Sequence, residues 1–160
     1  MGQCMQKEAM TGIQSRADSL LQLTLGLQAK LGSSDIRRMH DFQEEIEHDL
    51  AVLDTIAKGD PSLAPYRELS GKFGRCMKAC SQYHEEAYMI ESSLREIMDL
   101  SGTRDQDPQE LKKRLSFETD NYEDLSQRVD SSLHQAMRQA EEYYSIKPGI
   151  NRLLDQYRLP

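Results

Sequence analysis

The chain has 160 residues, 38% hydrophobic and 29% charged, with a net charge of −7, five Pro and no Trp. That length suits one domain with a continuous core, and a balance rich in Glu, Gln, Arg, Leu and Ser suits a soluble, all-helical protein. The acidic balance excludes a general nucleic-acid binder, which needs a dominant basic face; Lys112-Lys113-Arg114 is flanked by acidic residues and reads as a solvated helix face.

The first predicted helix covers residues 5–31. Met10, Ile13, Ala17, Leu20, Leu27 and Leu31 keep a heptad register, with Thr24 in one seam position. Leu21, Leu23 and Leu25 widen the apolar surface, so this helix has material for contacts on more than one side. Gly32, Ser33 and Ser34 end it and offer a cap to the next. The second helix, 35–58, puts Ile36, Met39, Phe42, Ile46, Leu50, Leu53 and Ile56 on one face, and Gly59-Asp60-Pro61 stops it.

The third helix spans 62–100, starting at Ser62 or as late as Tyr66 because Pro65 disfavours helix at Ala64. Leu69, Phe73, Cys76, Cys80, Tyr83, Ala87, Ile90, Leu94 and Ile97 follow alternating steps of four and three, the signature of one narrow seam. At 1.5 Å per residue such a helix is roughly 57 Å long and must lie along partners. The fold class is therefore all-α, an elongated antiparallel bundle of three to four long helices.

After a polar loop from Ser101, Asp107-Pro108 supplies an N-cap and a proline at the first helical position. The fourth helix, 108–145, carries Leu111, Leu115, Tyr122, Leu125, Val129, Ala136, Ala140 and Tyr143, interrupted by the polar Glu118 and Ser132. Pro148-Gly149 closes it, leaving a short terminal helix at 150–157 through Ile150, Leu153, Leu154 and Tyr157. Short loops imply that each helix runs antiparallel to the one before, within a single domain of residues 1–160.

Little in this pattern points to chemistry. A di-iron bundle needs two Glu-x-x-His pairs, and only Glu45-Ile46-Glu47-His48 qualifies, with Glu45 beside the apolar stripe on a solvated acidic face. Cys76, Cys80 and His84 recur every four residues, but zinc needs about four convergent ligands and the spacing supplies no fourth. The cysteines read as buried free thiols, which suits a reducing, intracellular compartment. Gly71-Lys72-Phe73-Gly74 lacks the pattern of a phosphate loop, and Tyr143-Tyr144 reads as bundle packing. No segment approaches the ~20 apolar residues of a membrane span. Met1-Gly2-Gln3-Cys4 would allow dual acylation, but the usual Ser or Thr at the sixth position is Gln6. The expectation is a protein that is not an enzyme, with no catalytic or metal-binding residues and no cofactor.

From Ile36 to Tyr144 the chain resembles a spectrin-type repeat, best from Leu94 to Tyr143. A helix ends at Leu100, a polar loop leads into Asp107-Pro108, and Leu111, Leu115, Tyr122, Leu125 and Val129 follow. Tyr122 stands where the family often has Trp, with Leu125 three residues later; Ser132 replaces a frequent basic residue. The resemblance implies a coiled-coil scaffold of a larger cytoskeletal or signalling protein in the cytoplasm. Its expected partner is a protein helix or peptide docked on a helical surface, with Leu21, Leu23 and Leu25 as candidate contacts. Nucleic acid and membrane are not expected as partners, and a homodimer is allowed. The alternative is a regulatory helical bundle of membrane trafficking, syntaxin-like or membrane-shaping.

Overall fold

In the computed structural model, which describes residues 2–158, the chain is all-α. Four helices succeed one another: α1 (Gly2–Leu31), α2 (Ser34–Ile56), α3 (Leu63–Ser101) and α4 (Pro108–Tyr157). No strand occurs among the described residues.

The helices gather into two compact units: one joins α1 to residues 82–130, and the other joins residues 32–81 to residues 131–158. In each unit three helical segments pack together, because α3 and α4 are long enough to give α1 and α2 separate partners. α1 and α2 each bury their stripe against parts of α3 and α4.

In the first unit the core consists of Met10, Ile13, Ala17, Leu20, Leu21, Leu27 and Leu31 of α1 against Ala87, Ile90, Leu94 and Ile97 of α3. Leu111, Leu115, Leu125 and Val129 of α4 complete it. Thr24 fits this dry seam because its hydroxyl donates to the Leu20 carbonyl one turn back, at 2.8 Å. In the second unit Met39, Phe42, Ile46, Leu50 and Leu53 of α2 meet Leu63, Tyr66, Leu69, Phe73, Cys76 and Cys80 of α3. Ala136, Tyr143 and Ile150 of α4 close that core. The α3 seam is buried as its spacing predicts, apart from Tyr83, which is half-buried beneath the Arg128 guanidinium at 5.2 Å from its ring centre.

Helix ends follow local chemistry. Asp107 caps α4 as expected, accepting from the Gln109 N–H at 3.0 Å. Gly59 takes a positive φ of 88° in the α2–α3 turn, and Asp60 accepts from the Ser62 N–H at 2.8 Å as α3 begins. Pro65 falls in the first turn of α3, where its missing N–H would have had no helical partner.

Pro148 does not end α4. The helix runs on to Tyr157, replacing the expected break and separate terminal helix with one element of 50 residues. Proline at 148 removes the hydrogen bond to the Tyr144 carbonyl, but it sits on the exposed side of the helix, where water can take that carbonyl. Lys147 before it and fully buried Ile150 after it are both held by the second unit, which fixes the helical path.

Candidate functional site

Two features stand apart from ordinary seam packing, one in each unit. In the second unit Asp49 of α2 is buried, although it sits in a stripe that otherwise excludes charge. It is satisfied from two other helices. The Tyr66 hydroxyl of α3 donates to Asp49 Oδ2 at 2.7 Å, and Lys147 Nζ of α4 donates to the same oxygen at 2.5 Å. Lys147 also reaches Glu45 Oε1 at 2.7 Å, while the Tyr143 hydroxyl donates to Glu45 Oε2. Tyr143 stacks on Phe42 with ring centres 4.1 Å apart, so the polar group is walled by aromatic carbon.

The electrostatics follow from that geometry. The Lys147 and Tyr143 hydrogen bonds hold the Glu45 carboxyl below its ordinary range. Burial alone would lower Lys147, but the bonds to Asp49 and Glu45 outweigh it and raise the ammonium's pKa. Burial, then the Asp49 hydrogen bond, pushes the Tyr66 hydroxyl up, so it stays protonated and donates. That arrangement is a cross-link between three helices.

A pH dependence follows. Glu45 has a depressed folded pKa, so its contribution is present above the ordinary carboxylate value, about 4.3, and is lost as pH falls through the folded value. Lys147 has a raised folded pKa, so its contribution holds below about 10.4 and is lost only as pH rises through the folded value. Urea midpoints measured from pH 7 down to pH 3 should fall less steeply for Glu45→Gln than for the unsubstituted chain. Equal slopes would contradict the assignment.

In the first unit, α3 and α4 form a groove of about 390 Å³ that no α1 residue lines. Its apolar walls include Met89 and Phe117, which are 70% and 64% exposed, with Ile90 at its base. At one end the Arg128 fork is fully engaged. It grips Glu86 with both terminal nitrogens, at 3.0 and 2.5 Å, and Asp124 through Nε at 2.9 Å. Glu118, which also lines the groove, is only 9% exposed, and its Oε2 accepts one long bond of 3.4 Å from Asn121. Among the described residues no cation pairs with it.

The residues singled out from sequence fall as follows. Leu21 is buried in the α1 core, Leu25 is half-buried and Leu23 is 54% exposed, so the three do not share one surface. Cys76 and Cys80 are buried while His84 is exposed, and the three do not converge as ligands among the described residues. The Cys76 thiol donates to the Ser132 carbonyl at 3.8 Å; its hydrogen bond with Cys80 lowers the Cys76 thiol, while that bond and burial push the Cys80 thiol up. Glu45 faces Lys147, and His48 is exposed. His40, Asp41 and Glu44 approach one another within 4.8 Å on a fully exposed face, an ordinary acidic surface cluster. Tyr143 packs inside the second unit, while Tyr144 is 57% exposed.

Sequence reasoning missed Asp49 and Lys147. The available signal was that Glu45 and Asp49, and likewise Tyr143 and Lys147, are four apart and share a helix face. It also missed Met89 and Phe117, each one position away from a seam residue or intrusion, Ile90 and Glu118. No helix among the described residues is long and apolar enough to cross a membrane. No protein-family model, curated protein or solved structure matches this chain.

Proposed function

We propose that this chain is a non-catalytic interaction module that receives a helix of a partner protein in the α3–α4 groove of its first unit. One observation carries the reading: Met89 and Phe117, two large and mostly exposed apolar side chains on different helices, border the same groove. Two antiparallel helices present two long grooves. Within this unit α1 fills one of them, and a helix laid in the other would complete a four-helix arrangement. The Glu45–Asp49–Lys147 cluster supports the non-catalytic part, since its charged groups are bonded to one another and to tyrosine hydroxyls across three helices.

The test is a photo-reactive amino acid at Ser93, which lines the groove, in cells that make the protein. The expected result is an adduct with a defined partner protein, mapped to a helical stretch of that partner and abolished by Phe117→Ser. Adducts indifferent to Phe117→Ser, or none at all, would remove the groove from the function.

A further inference from the structure

We infer that the helix received in the α3–α4 groove is cationic, carrying Lys or Arg three or four residues from the apolar side chain that enters between Met89 and Phe117. This rests on the docking reading above. Its own support is the charge of the walls. Glu86, Glu118 and Asp124 bring three carboxylates to the groove and Arg128 brings the single cation, an excess of two negative charges. Arg128 is already committed to Glu86 and Asp124, so it cannot answer Glu118.

Glu118 is therefore the unusual member. A carboxylate has about four acceptor positions, and this one uses one of them for a long bond to a neutral amide, while its other oxygen is open to solvent. A carboxylate without a cation gains most from a donor that arrives already charged. The apolar walls beside it explain why that donor would come attached to an apolar anchor. On a helix, residues three or four apart project from the same face, which matches one side chain over Met89 and Phe117 and a second over Glu118. A negatively charged helix would meet unpaired like charge in the same place.

The full chain is used to select from a displayed library of amphipathic helices about 20 residues long, enough to form a helix in isolation, with free choice around one apolar stripe. The expected result is enrichment of Lys or Arg three or four residues from the anchoring apolar position. Glu118→Gln, which keeps the acceptor for Asn121 and removes the charge, should weaken the enriched helices about tenfold while leaving neutral apolar helices unaffected. An unchanged thermal melt is the check that the variant folds; if it does not fold, direct comparison of Lys-, Gln- and Glu-bearing versions of one selected helix on the unsubstituted chain gives the same answer. Binding of Gln- and Glu-bearing versions as tight as the Lys version would overturn the cationic assignment and leave docking standing. No selected helix sensitive to Phe117→Ser would overturn both. A concentration-dependent dimer dissolved by Phe117→Ser would assign the groove to a second copy and overturn the partner assignment.

Discussion

Lys147→Met should destabilise the protein by about 3–5 kcal/mol, the usual cost of removing one member of a buried ion pair. The lysine side chain is 15% exposed and that of Asp49 is 9% exposed, so little water can replace the lost cation. Asp49 would keep only its Tyr66 bond, and Glu45 only its Tyr143 bond. For a chain of this size each kcal/mol moves the melting midpoint by about 2–4 °C, so a drop on the order of 10 °C is expected in thermal unfolding. The cause is separable from lost packing. Adding Asp49→Leu and Tyr66→Phe to Lys147→Met removes the stranded charge together with the hydroxyl that donated to it, and should recover most of the loss, as apolar replacement of a whole buried polar group commonly does. A cost under about 1 kcal/mol for Lys147→Met alone would mean that the cluster behaves as a surface pair.

The second large effect is expected at Ile150. Were Pro148-Gly149 a true break, the residues beyond it would be a frayed appendage and substitutions there would be close to neutral. In the structure α4 continues and the Ile150 side chain is fully buried among the second unit's core. Ile150→Ala should therefore cost about 2–5 kcal/mol, combining lost transfer energy with the cavity left behind. Tyr157→Ala, at a position 46% exposed on the same helix, serves as the control and should cost far less. Urea unfolding of both variants, with the slope checked for constancy, distinguishes the two pictures. Similar small effects at both sites would favour the broken helix.

These two cases also mark what can be read from residues alone. The α3 seam is legible because nine positions obey one period, and so long a run at that spacing makes sense only as the buried face of a helix. The Asp107-Pro108 start is legible because capping is local chemistry, settled within three residues. Pro148 misleads because its cost depends on which side of the helix faces water, a tertiary fact. The groove is the hardest feature to foresee. Phe117 and Met89 are individually ordinary surface residues, and only the meeting of α3 and α4 brings them to a shared wall with Glu118.

The charge buried at Asp49 has one more effect, on alignment. Seams built from Leu, Ile and Ala repeat every seven residues, and a helix slid by one repeat would bury much the same oil. Such a slide of α4 would bring Ala140 or Leu154 opposite Asp49 in place of Lys147, abandoning an ionised oxygen in a dry interior. One lysine thus acts as a peg, making a single axial setting of the second unit's helices far more favourable than its near-copies.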